Sequence, residues 1–367
     1  MITREKIASI LAGYDRRRLT VATIGSHSAL QIFHGARLEG LRSLCICTED
    51  RRATYEAFPL SRAEKFLIVE KFKDILRPEI QAGLVEENAV VIPHGSFVEY
   101  VGAQEILDKF EVPMFGNRAS LLWETNRGRQ REWLEFAGIK MPREYKDPSE
   151  IDGRVFVKFS GAKGGRGFFI AKSHDDFHRK LEERIKRGVV TEEEALNVAI
   201  QEFIAGVRYY PHYFASPLTN HGLPIKDGSL ELLSMDKRIE PIDESYRGLP
   251  EIPEEFFDYT VTGNQPVIVR ESLLTDVLRM GGRTVERSME LFPPGMIGPF
   301  SLETVYSPDK GFTVFEISAR IVAGTNLYPM GSPYSAYLYG EPMSTGRRIA
   351  RELRLGIERD ELDKIVY

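Results

Sequence analysis

Cysteine is nearly missing from this chain. Its 367 residues hold two, Cys45 and Cys47, set either side of Ile46 in an apolar run. Read as facing opposite sides of a strand, they offer neither a disulfide nor a metal site, and a reducing cytoplasm is the expected location. No apolar stretch approaches the roughly 20 residues of a membrane span, and the opening MITREKIASILAGYDRRR lacks the apolar core of a signal peptide. Positive charge is in deficit. Forty-nine Lys and Arg stand against 54 Asp and Glu, for a net charge of −5, and no long basic block occurs. That balance argues against nucleic acid as a partner, while local cations could still hold small anions. The named phosphate loops are missing too. A P-loop needs its glycines followed by Lys, then Ser or Thr, then a helix, whereas Gly161 to Gly167 runs into the strand-like FFIAK. A dinucleotide fingerprint needs a helix straight after its glycines, and TIGSHS lacks the glycine pattern. No internal repeat or low-complexity segment stands out.

What the chain does have is a stretch dense in glycine and cation, RVFVKFSGAKGGRGFFIAK, from Arg154 to Lys172. Two β-patterned runs flank Ser160 to Gly167, where missing side chains let backbone N–H groups turn toward an anion and Lys163 and Arg166 add charge. Alternation puts Val155, Val157 and Phe159 on one face and Phe156 and Lys158 on the other, so Lys158 can point beneath the loop at the same anion. Strand, glycine loop, strand is a way to cover a polyphosphate. A plain flexible hairpin is the alternative.

The length calls for two or three domains. Ile2 to Leu11 reads as a helix, Leu19 to Ile24 as a strand ending in Gly25-Ser26-His27-Ser28, Ala29 to Leu38 as a helix and Leu41 to Cys47 as a strand. This is the opening of a doubly wound sheet, whose ligands sit at the carboxyl ends of the strands. Ser26, His27 and Ser28 are therefore candidate phosphate or base contacts, the alternative being an ordinary capped turn. Ala89 to Ile92 is a further strand and runs into Pro93-His94-Gly95-Ser96-Phe97, a second such turn able to meet the same ligand. Val112 to Phe115 continues the alternation. A long charged helix is expected from Ser120 to Ala137, with the first domain boundary near 120, and another helix from Leu181 to Val198. Strands follow at Ala199 to Ile204, Arg208 to Ser216, Leu230 to Met235 and within Thr262 to Glu271, then a helix from Thr275 to Leu291.

Residues 299–320, PFSLETVYSPDKGFTVFEISAR, form an explicit hairpin. With Asp309 and Lys310 at its centre, Glu303 lies opposite Glu316; a bulge at Gly311 would slip the pair by one residue. Two carboxylates held side by side repel and lose hydration, so the pairing invites a divalent cation. Oxygen ligands of this kind suit Mg²⁺. A surface pair of glutamates is the alternative, disfavoured because like charges directly opposite destabilise a sheet. Arg320, just past the strand and ahead of the IVAGTN loop, could hold a phosphoryl group or a carboxylate.

A Rossmann-like start, a hairpin cover with Lys158, the strand QEFI and paired late glutamates together resemble the ATP-grasp superfamily. More closely, GSHSALQI at Gly25, PHGSF at Pro93, KFSGAKGGRGFFIAK at Lys158, MDKR at Met235, TGNQPV at Thr262, RESLL at Arg270, PPGMIGPF at Pro293 and FEISARIVAGTN at Phe315 resemble the archaeal formate-dependent 5-formaminoimidazole-4-carboxamide ribonucleotide (FAICAR) synthetases. The likeness spans nearly the whole chain. It implies an α/β and α+β architecture, an ATP-grasp fold behind an N-terminal Rossmann-like domain. The expected divisions are residues 1–120, a hairpin-lid subdomain at 121–205 and a large subdomain at 206–367 carrying the metal and catalytic residues. His27, Ser96 and Asn264 fall on positions that bind the aminoimidazole nucleotide. Lys158, Lys172, Glu202, Phe203, Ile204 and Glu231 fall where ATP binds, with Lys163 on the loop above. Glu303 and Glu316 fall on ligands of Mg²⁺ or Mn²⁺, and Arg320 and Lys158 are the expected catalytic residues.

The implied activity is ligation of formate to the amine of 5-aminoimidazole-4-carboxamide ribonucleotide (AICAR), with ATP as co-substrate, by a homo-oligomer, trimer or hexamer, that meets neither nucleic acid nor membrane. Two positions depart from the wider superfamily. Ser318 stands where an Asn commonly follows the second metal-binding Glu, and Arg127, Arg129 and Arg131 stand where a Lys commonly precedes the hairpin. A paralogue that ligates another small acid, or a nucleotide sensor without catalysis, would share the scaffold. A sensor would not need Lys158, Glu303, Glu316 and Arg320 together.

Overall fold

The computed structural model describes residues 1–159, 168–196, 198–240 and 261–367, which three sheets organise. The first is parallel and holds β1 (Thr20–Ile24), β2 (Arg42–Cys47), β3 (Lys65–Ile68) and β4 (Ala89–Val91), in the order β3-β2-β1-β4. Every residue of β1 and of β4 is buried, and so is all of β2 after Arg42, which explains unbroken apolar runs where a half-exposed sheet would alternate. Met114 extends the sheet through a parallel bridge to Val91. Strand order reverses between β1 and β4, so a crevice opens at their carboxyl ends, where Ser26–Ser28 and Pro93–Ser96 lie. Cys45 and Cys47 do not face opposite sides: residues two apart on a strand share a face. Both thiols are free and buried against Phe33 and Tyr55.

The second sheet is antiparallel: β5 (Glu144–Tyr145), β6 (Val155–Lys158), β7 (Phe168–Ala171) and β8 (Ala199–Glu202), ordered β5-β8-β6-β7. Val155, Val157 and Phe159 point into a small core with Phe177, leaving Phe156 and Lys158 on the opposite face. Residues 160–167, including Lys163, lie outside the described residues. The expected helix Leu181 to Val198 is displaced. Ser173 caps a helix at His174–Lys186 that ends near Gly188 (φ +67°), and Thr191 caps a separate turn at Glu192–Ala195.

The third sheet contains β9 (Val207–Ser216), β10 (Leu223–Ile225), β11 (Gly228–Ile239), β12 (Gly263–Pro266), β13 (Gly298–Ser307) and β14 (Gly311–Ser318). Its order is β10-β11-β9-β13-β14, with β12 on the far end of β11. Helix Glu271–Leu291 covers one face. The long helix expected at Ser120 to Ala137 is two, Ala119–Thr125 and Arg127–Phe136, because Asn126 leaves the helical conformation and its side chain caps the second by accepting from Arg129 N at 3.0 Å. Trp133 and Leu134 then pack with Tyr213, Val277 and Phe292, and the Trp133 indole donates to Thr284 O at 2.8 Å. The stretch expected to form one lid unit at 121–205 thus divides. Its first part joins the core of the large sheet, and only the part from about β5 onward builds the small one.

The chain closes on itself. Helix Thr345–Arg359 lies against helix Ala29–Leu38 so tightly that a Cβ on Gly35 would sit 2.3 Å from Arg347 N and one on Gly346 2.2 Å from Gln31 O. Met114 N and Gly116 N bond to the carbonyls of Tyr367 and Ile365. Ile32 and Val90 share one core with Phe214, Leu233, Ile349 and Leu353, so the first sheet is completed from the C-terminal half. No helix among the described residues is long and apolar enough to cross a membrane.

Candidate active site

A cleft of about 520 Å³ separates the small antiparallel sheet from the large one. Phe156, Lys158, Phe168 and Ile170 form one wall; Tyr210, Arg238, Glu303, Phe315 and Glu316 form the other. Strand alternation decides most of this, since each wall consists of residues the small core or the large core leaves out, while the neighbours Phe315 and Glu316 share a wall through an irregularity in the pairing of β13 with β14. The connector Phe203–Gly206 joins the sheets at the rim, and the Ile204 N–H meets no acceptor among the described residues. Glu202 beside it accepts from Arg143 N at 3.2 Å and pairs with Lys310.

On the wall of the large sheet, Glu303 pairs directly with Glu316. Arg238 of β11 grips Glu303 with two parallel bonds, 2.9 Å from Nη1 to Oε2 and 2.6 Å from Nη2 to Oε1. The Ser318 hydroxyl lies 3.5 Å from Oε1 of Glu303, so the departure at 318 retains a polar contact with the carboxylate pair. Glu316 has no hydrogen-bond donor among the described residues. The residue is exposed to the cleft, yet the protein packed around that wall still desolvates its carboxyl. Burial first and the Glu303 charge second hold its carboxyl above the usual range, with Lys158 and Arg238 opposing. Burial lowers the Lys158 pKa; Glu316 counters that and nearby Arg127 adds to it. An unpaired acid facing a second carboxylate, with free lone pairs on both, fits a hard divalent cation. Glu303 and Glu316 are the residues that would hold one.

A second cluster sits at the crevice of the first sheet. The two turns meet: Ser26 Oγ donates to Ser96 Oγ at 2.9 Å, and the rings of His27 and His94 stack 5.6 Å apart. His27 adopts φ +43° and lies near Ser28 Oγ, 3.0 Å from its Nδ1. Asn326, from the turn Ala323–Leu327, donates to His27 O at 2.8 Å. Arg320 enters from the large sheet. Its Nε is 3.1 Å from buried Glu124, and a Cβ on Gly95 would lie 3.2 Å from its guanidinium and 3.3 Å from His27 Nε2, so a larger residue at 95 would press on both side chains. Burial, then His94, Arg320 and Arg238 push His27 down to about 3. A neutral imidazole among guanidinium groups suits an anionic, base-bearing ligand. Because Arg238 also lines the cleft, it joins the two clusters.

The chain is similar to known proteins along its whole length. A domain of unknown function (DUF1297) matches residues 176–367, and a protein of unknown function (DUF1246) matches residues 21–145. The 5-formaminoimidazole-4-carboxamide-1-(beta)-D-ribofuranosyl 5'-monophosphate synthetase of Korarchaeum cryptofilum is 53% identical over all of both chains. The chain belongs to that synthetase family. Among solved structures, the IMP biosynthesis protein PurP of Thermococcus kodakaraensis superposes with a TM-score of 0.71 at 33% identity, covering 95% of this chain and 100% of that one. The N5-carboxyaminoimidazole ribonucleotide synthetase of Thermotoga maritima, 14% identical, shares the fold at a TM-score of 0.59 over 92% of this chain and 76% of its own. The protein is a ligase with the ATP-grasp fold, a class that uses ATP and divalent metal ions.

Within this synthetase framework the expected residues fall unevenly. Lys158, Glu202, Phe203, Ile204, Glu303 and Glu316 line the cleft, and Ser26, His27, Ser28 and Ser96 gather at the crevice. Asn264 donates to Asp236, which underlies the turn Ala323–Leu327 that holds His27. Glu231 does not belong with the ATP residues. Fully buried, it accepts from Arg348 at 2.9 Å and from Tyr339 at 2.6 Å. Seven residues along β11 put it roughly 23 Å from Arg238, so it ties the sheet to helix Thr345–Arg359. Lys172 is exposed past the end of β7 and outside the cleft lining, its backbone N–H bonded to Asp176. Sequence reasoning missed Arg238, although MDKR was among the motifs, because nothing local shows its bond to Glu303. Glu124 carried no signal at all.

Proposed function

We propose that the chain ligates formate to the amine of AICAR at the expense of ATP, through formyl phosphate. Formate oxygen attacks the γ-phosphorus and ADP leaves. The AICAR amine then attacks the formyl carbon, phosphate departs and the amine proton is lost, giving FAICAR. On this reading ATP occupies the cleft between the two sheets, with its base toward the 203–206 connector and its phosphates under Lys158. AICAR occupies the crevice at Ser26, His27, Ser28, Ser96 and Asn264. Mg²⁺ or Mn²⁺ at Glu303 and Glu316, when bound, neutralises charge on the ATP oxygens. Lys158 holds the phosphates, and Arg320, steadied by Glu124, faces the acyl group between the two sites.

The opposition of Glu303 and Glu316 beneath Lys158 carries this reading, because phosphoryl transfer needs such charge handling and a nucleotide sensor does not. A homo-oligomer, trimer or hexamer, in the cytoplasm belongs to the same proposal. Exposed Ile268, Met330 and Tyr337 would serve as its contacts. Incubation with ATP, AICAR and labelled formate tests the function: label in FAICAR with stoichiometric ADP supports it, and ATP turnover only with another small acid would assign a paralogue. Label entering FAICAR only from a formyl-folate would replace formate as the donor.

A further inference from the structure

The roles assigned so far leave unused a buried ionisable pair on the floor of the large sheet. His212 on β9 and Asp236 on β11 are each 1% exposed. His212 Nε2 lies 2.7 Å from Asp236 Oδ1, and its Nδ1 lies 2.7 Å from Ser234 Oγ. Burying such groups costs a desolvation penalty that an apolar pair of similar size would not incur, so the pair calls for a purpose beyond packing.

The surroundings supply one. Asp236 Oδ2 accepts from Asn264 Nδ2 at 2.7 Å. The turn Ala323–Leu327 lies flat on the same carboxylate, where a Cβ on Gly324 would come within 2.3 Å of Oδ1. Asn326 of that turn holds His27. Asp236 is therefore the point at which β9, β11, β12 and the His27 turn meet.

The contact runs from the Asn264 NH₂ group, which can only donate, to the Oδ2 acceptor of Asp236. This fixes the sense of the amide. Its Oδ1 then faces away from Asp236 and meets no donor among the described residues.

We propose that Asp236, clamped by His212, is a positioning residue: it fixes the amide of Asn264 so that Oδ1, at the nucleotide site proposed above, is left as an acceptor. The inference rests on the AICAR site proposed above. It makes Asn264 a selector for ligands that present a donor at that point, since an acceptor there would face an acceptor.

The test is a double-mutant cycle on AICAR affinity, measured by calorimetry, with ATP affinity as the control. The wild-type protein is titrated with AICAR first, and absence of binding there overturns the site itself and not only its tuning. Asn264→Ala and Asp236→Asn should each weaken AICAR about tenfold, the worth of one hydrogen bond in a polar site, raising its KM while the KM for ATP stays put. Because Asp236→Asn keeps the side-chain volume beneath Gly324 and so leaves the His27 turn in place, its effect runs through Asn264, and the double variant should bind AICAR no more weakly than Asn264→Ala alone. His212→Gln, which keeps a donor near Asp236, provides a milder second arm and should be silent in the Asn264→Ala background. Additive losses in either cycle, or unchanged AICAR affinity in Asp236→Asn, would overturn the proposal.

Discussion

Glu303 and Glu316 face each other because two irregularities in one hairpin cancel. The turn leaves Ser307 opposite Gly311, a slip that would bring Phe315 opposite Glu303 and send Glu316 to the other face of the sheet. A bulge at Phe315 takes the slip back, so pairing resumes at Glu303 and Glu316. Glu316→Gln should therefore keep the fold and AICAR binding while turnover falls on the order of a hundredfold or more, a loss of about 3 kcal/mol in transition-state stabilisation. Steady-state kinetics at limiting Mg²⁺ check this, and unchanged turnover would remove the metal assignment.

Lys158 and His27 belong to different ligands, so their variants should part company. Lys158→Ala should weaken ATP by roughly ten- to a hundredfold and barely affect AICAR, while His27→Ala should do the reverse. Ser96→Ala should follow His27→Ala in direction. Calorimetry with each ligand separately decides it; equal losses of both ligands in Lys158→Ala would mean that the hairpin covers something other than the polyphosphate.

Glu231 should prove structural. Glu231→Gln leaves the Arg348 guanidinium buried with only Glu352 as its carboxylate partner, and breaking a buried pair typically costs about 3–5 kcal/mol. Denaturant unfolding should show a loss of this size with ATP affinity intact. Weaker ATP binding at full stability would return Glu231 to the nucleotide site.

His94 should give the protein an acid sensitivity. Fully buried, it donates from Nε2 to Ile24 O at 3.1 Å, leaving Nδ1 bare, and burial pushes its pKa down to about 4 from 6.5. In the unfolded chain it takes up a proton as pH falls through 6.5, whereas in the folded protein it does so only near 4. Stability is thus complete above 6.5 and is lost as pH falls through that window, at about 1.4 kcal/mol per unit from this one group. Comparing unfolding free energies at pH 7 and pH 5 in wild type and His94→Gln isolates it. The variant should lose about 2 kcal/mol less than the wild type over that step, and parallel losses would contradict the assignment.

Much of this site is written locally. The alternation of Val155 to Phe159 is enough by itself to separate core from cleft, and the Ser-Pro-Asp-Lys-Gly turn marks the hairpin that carries the two glutamates, although their pairing also needs the bulge at Phe315. The doubly wound opening brings the GSHS and PHGSF turns together because strand order must reverse somewhere between them. What was not legible depends on partners far along the chain. Arg238 reaches Glu303 across 65 positions and Glu124 meets Arg320 across nearly 200, distances over which no spacing rule operates. Glu231 misled for the related reason that strand β11 is long enough to serve the cleft at one end and the C-terminal helix at the other. Asn126 shows a smaller failure, where a charged run periodic enough for one helix holds a capping residue that divides it.

The central claim is that formate is activated as an acyl phosphate and passed to the AICAR amine within one site. A single turnover with [¹⁸O]formate, ATP and AICAR tests it most directly. The account predicts one ¹⁸O atom in the released inorganic phosphate for each FAICAR formed, with the second retained in the formyl group. FAICAR formed with no ¹⁸O in phosphate, or ADP released without FAICAR, would contradict it.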